Sequence, residues 1–158
     1  MSFNHFDKKG QAIMVDVSAK QPTMRTATAR ATVRMRPETL AALVEGRTAK
    51  GDVLAVARLA GIAGAKRTPE LIPLSHPLAI HHAAVEFSVD EAGGTVTVEA
   101  TVRAFERTGV EMEAMTAATV AALTIYDMCK GTDKGIVITD ACLLFKEGGK
   151  SGTWRREE

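Results

Sequence analysis

The sequence predicts an α+β fold in which helices pack on one face of an antiparallel sheet, and three features carry that prediction. Residues 23–35, TMRTATARATVRM, alternate between small or apolar side chains and Thr or Arg. Two later strand-like segments are joined by Glu91-Ala92-Gly93-Gly94, a hairpin turn sequence. A long run rich in Ala, Met and Leu then follows a Thr-Gly break.

In 23–35, Arg25, Ala27, Ala29, Ala31, Val33 and Met35 share one face; Thr26, Thr28, Arg30, Thr32 and Arg34 share the other. This period of two marks a half-exposed strand. Pro37 suits a first helical turn and Gly46 an exit, which places a short helix at about 37–45. Asp52 can cap a second helix over roughly 52–65. The segment LIPLSHPL at 71–78 holds two prolines and reads as a rigid loop. Strands are expected at about 79–90 and 95–106, then a largely buried helix over about 110–130 that stops at Gly131. Two short strands, 136–138 and 141–146, complete the order β-α-α-β-β-α-β-β. The whole chain reads as one domain, with an irregular arm at 1–20 and a polar, mobile tail at 148–158.

The 158 residues are 46% hydrophobic but only 4% aromatic. A core of small side chains buries little area per residue, so association between copies is expected. The net charge of +1 argues against a nucleic-acid partner held by bulk charge. Cys129 and Cys142 lack a pairing motif and read as reduced thiols. No apolar run follows the N-terminal charges and none is long enough to span a bilayer, so a cytoplasmic protein without a membrane partner is expected.

Four stretches carry candidate chemistry. His76 sits between two prolines, where a fixed imidazole could move protons or hold a phosphate oxygen; a structural histidine in a tight turn is the competing reading. Glu111 and Glu113 open the long helix, where carboxylates either serve the helix dipole or accept N–H donors from a guanine-like edge. Asp127 and Lys130 lie three residues apart on one helix face, as an ion pair or an acid–base pair. Lys50-Gly51 precedes a helix start, where free N–H groups favour an anion. Other cations fall at segment ends: Arg25, Lys66, Arg67, Lys146 and Lys150. No Walker-type or dinucleotide-binding glycine pattern occurs. His81 and His82 would point to opposite sides of a strand, which argues against a shared metal, and no metal site is expected.

Glu113 and Asp127 are fourteen residues apart on the long helix, roughly 21 Å along its axis at 1.5 Å per residue. One small reactive centre cannot touch both in one chain. Either an extended ligand bridges them or two protomers share the site.

Six blocks, MVDVSAK (14–20), KGDVLAVARLAGI (50–62), LIPLSHPL (71–78), TGVEMEAM (108–115), AALTIYDMCK (121–130) and GGKSG (148–152), together resemble the MoaC family of cyclic pyranopterin monophosphate synthases. The resemblance spans nearly the whole chain. It implies a ferredoxin-like fold, assembled as a hexamer of three dimers with the site between protomers. It implies a lyase of molybdenum cofactor biosynthesis acting on (8S)-3',8-cyclo-7,8-dihydroguanosine 5'-triphosphate. A radical S-adenosylmethionine GTP cyclase would supply that substrate, and the products would be cyclic pyranopterin monophosphate and pyrophosphate. By matching motifs, Asp127 would be the catalytic acid/base, with Lys130 and Lys50 as catalytic partners. Leu74, Ser75, His76, Met112 and Glu113 would bind substrate, with Arg25, Glu111 and Lys146 as further site residues. Ser75 stands where the family often has cysteine, so no thiol chemistry can operate in that loop.

That chemistry moves protons and neutralises phosphate charge without redox, so no cofactor is required, although magnesium could accompany the released pyrophosphate. Two other readings remain open at this level: a nucleotide-binding regulatory oligomer, and a purine-triphosphate cyclohydrolase acting on GTP, a type that commonly uses zinc.

Overall fold

The computed structural model describes residues 5–157. Parts of the predicted arm and tail, residues 1–4 and 158, lie outside that range. Strand β1 (Thr23–Arg34) leads to helices α1 (Pro37–Val44), α2 (Val53–Lys66) and α3 (Thr68–Leu71). Strands β2 (His82–Asp90) and β3 (Thr95–Glu106) form the hairpin, α4 (Glu111–Cys129) follows, and β4 (Val137–Glu147) and β5 (Trp154–Arg155) close the chain. The sheet order is β2-β3-β1-β4-β5 with every pair antiparallel. Without β5, this is the β-α-β-β-α-β arrangement of a ferredoxin-like fold.

Alternation in β1 places Ala27, Ala29, Ala31 and Val33 inside, fully buried against α4. In β3, Val96, Val98, Ala100, Val102 and Ala104 do the same. Because β1 contributes mainly methyl groups, α4 can lie close to the sheet. Its buried face carries Ala114, Ala117, Ala118, Ala121, Ala122 and Ile125. Helix α2 packs beside α4, and Gly61 permits the approach: a Cβ there would sit 2.9 Å from the Ala117 carbonyl oxygen. Small residues thus set the layer spacing, in keeping with the low aromatic content.

Local signals account for the helix ends. Arg36 is extended and Pro37 begins α1; Gly46, at φ +66°, terminates it. The Asp52 carboxylate accepts the Ala55 N–H and caps α2. After α4 the chain is pinned by buried Asp133. Its carboxylate accepts the Arg36 and Gly135 backbone N–H groups at 3.0 Å each, and the Thr39 hydroxyl at 3.3 Å.

Two expectations need correction. Residues 136–138 and 141–146 are not separate strands; apart from Ile136, they belong to the single strand β4. Pairing with β1 shifts register between Thr28 and Ala29 and again between Arg30 and Thr32. These are β-bulges, and at the second one Asp140 adopts φ +53°, which interrupts the alternation that would mark one strand. The other is in the tail, where Trp154 and Arg155 form β5 by pairing with Lys146 and Phe145, a strand too short for the sequence to announce.

Candidate active site

The fold gathers the singled-out residues into two groups at opposite ends of α4. At its C-terminal end, Asp127 receives two lysines. Lys130 Nζ lies 2.6 Å from Oδ1, and Lys50 Nζ lies 3.1 Å from Oδ2. Lys50 also donates to the Asp127 backbone carbonyl at 2.9 Å. The hydrogen bond and charge of Lys130, then those of Lys50, hold the Asp127 carboxyl below its ordinary range. In return, Asp127 raises the Lys130 ammonium above the ordinary lysine value. Asp127 is therefore ionised at neutral pH and Lys130 is a charged donor.

In two respects this differs from the sequence reading. The apolar run predicts a buried helix around Asp127, yet its side chain is 56% exposed in the single chain. The apolar residues preceding it occupy the inner face, and Asp127 lies on the outer stripe with Leu123 and Lys130. Lys50 does not present an anion site at the start of α2 either. It reaches across to Asp127, while Asp52 occupies the helix N-terminus.

At the other end of α4, Leu74, Ser75, His76, Glu111, Met112 and Glu113 line a cavity of about 310 Å³. The proline-flanked loop is fixed by the Ser75 N–H bond to the Ile72 carbonyl. His76 Nε2 lies 2.7 Å from the Val15 carbonyl oxygen, which joins the loop to the N-terminal arm. Glu113 is only 2% exposed. Removal from water pushes its carboxyl up to about 7, against its own backbone N–H and with a small push from Glu111. Met112 remains exposed beside it.

A second cavity, about 920 Å³, adjoins the first through Lys20, Thr108, Gly109 and Glu111. Arg25, Lys146, Lys150 and Ser151 line it. Lys146 Nζ is 3.4 Å from Glu111 Oε1 and also contacts the Ser151 hydroxyl. Arg25 donates from Nε to the Glu106 carbonyl at 3.1 Å and from Nη2 to the Arg107 carbonyl at 3.2 Å. This cation-rich trough beside a mixed polar cavity can hold a polyphosphate attached to a planar heterocycle. Of the basic residues named from sequence, Lys66 and Arg67 line neither cavity.

Lys20 carries no signal in the sequence, yet it borders both cavities; its position depends on how the arm folds back. Val15 and Val17 enter the first cavity for the same reason. Among the described residues, no three His, Cys, Asp or Glu side chains converge as a metal centre requires. Nor is any described helix long and apolar enough to cross a membrane.

Residues 14–149 match the sequence model of the MoaC family. The chain belongs to the MoaC family. Similar proteins extend across its full length. A protein of Geobacter metallireducens named cyclic pyranopterin monophosphate synthase is 80% identical over 158 residues, covering 100% of this chain and 99% of the relative. Proteins of the same name in Geobacter sulfurreducens and Trichlorobacter lovleyi are 79% and 66% identical, with the same coverage. The MoaC-family match spans both groups of residues, so Lys50, His76, Glu113 and Asp127 all fall within it.

Proposed function

We propose that this MoaC-family chain is a lyase that converts (8S)-3',8-cyclo-7,8-dihydroguanosine 5'-triphosphate to cyclic pyranopterin monophosphate and pyrophosphate, in molybdenum cofactor biosynthesis. The observation that carries this reading is the Asp127 carboxylate held between Lys50 and Lys130. A carboxylate that is ionised at neutral pH, beside two ammonium donors, suits a rearrangement built from proton transfers. Asp127 accepts a proton as one ring opens; Lys130 and Lys50 return protons to departing oxygen or nitrogen. Glu113, with Met112, Leu74, Ser75 and His76, receives the heterocycle. Its buried carboxyl ionises when the N–H donors of a guanine edge reach it. Arg25, Lys146 and Glu111 border the phosphates, and the cations offset charge as the cyclic phosphate closes and pyrophosphate leaves. No step changes an oxidation state, and acid–base side chains with local cations suffice without a required cofactor; magnesium could accompany the released pyrophosphate.

The site is completed by a second copy. Asp127 and Glu113 stand at opposite ends of α4, roughly 21 Å apart along its axis. Leu123 and Met112 are exposed on that helix, and Val56 and Leu59 on α2. Dimerisation over this surface brings the Asp127 end of one protomer to the Glu113 end of the other, and three such dimers form a hexamer. The protein works in the cytoplasm, downstream of a radical S-adenosylmethionine enzyme that cyclises GTP.

Pyrophosphate release from the cyclised GTP intermediate tests the reaction, and mixing two inactive variants tests the shared site. Asp127→Ala and Glu113→Ala proteins, refolded together, should recover about a quarter of wild-type turnover, because one class of mixed site is intact. No recovery in verified mixed oligomers overturns the shared site, and no pyrophosphate release by the wild type overturns the reaction.

A further inference from the structure

Gly149 lies closer to the Arg25 guanidinium than any residue with a side chain could. A Cβ built on Gly149 would stand 2.7 Å from Arg25 Cζ and 3.0 Å from Nη2, and closer still to Nη1. On its other side the guanidinium is anchored, Nε to the Glu106 carbonyl and Nη2 to the Arg107 carbonyl. It is thus clasped between the end of β3 and the chain that leaves β4. The space it fills exists only because position 149 lacks a side chain. Gly149 also has φ +75°, a conformation that favours glycine.

We propose that Gly149 is a positioning residue for the anion trough: it admits the Arg25 guanidinium to the place where it joins Lys20, Lys146 and Lys150 in binding the polyphosphate. The inference rests on the proposed reaction for the identity of the anion, whereas the coupling between Gly149 and Arg25 stands on geometry alone. Gly148 acts differently. A Cβ there would run into the Met24 carbonyl, which is backbone, so substitution would distort the chain itself. At Gly149 the obstruction is the free end of a flexible side chain. A methyl group therefore displaces the guanidinium and leaves the fold standing. A displaced guanidinium loses its two carbonyl anchors and its fixed position among the lysines.

Gly152 supplies a matched control. It too has positive φ, +64°, but a Cβ there meets nothing within 4 Å. Gly152→Ala thus imposes comparable backbone strain without touching Arg25. The experiment measures pyrophosphate binding by calorimetry, and KM and kcat with the cyclised GTP intermediate, for Gly149→Ala, Arg25→Ala, the double variant and Gly152→Ala. Gly149→Ala should weaken pyrophosphate binding about tenfold or more, the scale of losing a charged hydrogen-bonding partner, and raise KM more than it lowers kcat. The double variant should bind no worse than Arg25→Ala alone, because both changes remove the same contact. Gly152→Ala should stay within about twofold of wild type, since its effect is confined to local backbone. A crystal structure of Gly149→Ala should show the guanidinium off the Glu106 and Arg107 carbonyls. Wild-type binding by Gly149→Ala, a multiplied loss in the double variant, an equal loss in Gly152→Ala, or an unmoved guanidinium each overturns the proposal. A wild type that binds pyrophosphate but makes none refutes the reaction only; the binding cycle then still decides the coupling.

Discussion

Lys50 Nζ lies 3.1 Å from Asp127 Oδ2, joining the loop before α2 to the end of α4 across 77 positions of sequence. Lys130 occupies the other carboxylate oxygen, so each Asp127 oxygen has its own ammonium partner. Asp127→Asn keeps the shape and removes the ionised base. It should lower kcat about 100-fold or more, the usual scale for losing a positioned proton acceptor. Because all three side chains are about half exposed, the melting temperature should barely move. Unchanged turnover would remove Asp127 from the chemistry, and measured pyrophosphate release distinguishes the cases.

Glu113 makes stability depend on pH in an unusual direction. Its carboxyl ionises near 7 in the folded chain, against an ordinary value of 4.5. Between those values the folded state holds a proton that the unfolded state has lost. Stability therefore falls as pH rises from about 4.5 to 7, and the contribution levels off above that. The shift corresponds to about 3 kcal/mol at most. Glu113→Gln stays neutral throughout and should abolish this slope, making the variant relatively more stable at pH 8 than at pH 5. Thermal melts of both proteins across that range check it; parallel curves would contradict the assigned burial.

Asp133 should behave as a structural lock. Asp133→Ala leaves the Arg36 and Gly135 N–H groups and the Thr39 hydroxyl without their acceptor. A clear drop in the denaturation midpoint is expected, with Asp133→Asn recovering part of it. Hydrogen bonding from the Arg36 N–H, followed by that from Gly135 and the Arg36 charge, holds the Asp133 carboxyl below its ordinary range. Its contribution is therefore full above the ordinary aspartate range near pH ~4 and fades as pH falls through the lowered value. The stability gap between wild type and Asp133→Ala should narrow in strong acid. Equal midpoints at pH 7 would show that water replaces the carboxylate without cost.

Elements with an uninterrupted period were legible from sequence. The alternation of β1 and β3 and the apolar run of α4 placed all three within a residue or two. Strand β4 was not, because the bulge at Asp140 reverses which side chains face inward partway along it. The chemical groups divide similarly. Asp127 and Lys130 declare themselves by spacing on one helix, and Lys50 joins them only through tertiary packing. Glu113 looks like an ordinary acidic residue at a helix start, and only the structure shows it buried at a cavity that the arm and the 71–78 loop also line. Lys20 and Asp133 were not legible, since Lys20 meets the two cavities, and Asp133 meets Arg36 and Thr39, only through tertiary packing.

One helix sets the distance between the two groups that each copy contributes, one to each of two sites. Residues 113 and 127 ride on the same hydrogen-bonded rod, so loops elsewhere can change in length without altering their separation. A one-residue insertion between them would lengthen the rod by only 1.5 Å but turn one end about 100° against the other. Asp127 would then leave the outer stripe while Glu113 stayed in place. Within this interval, residue identity can vary wherever packing permits, but residue number cannot.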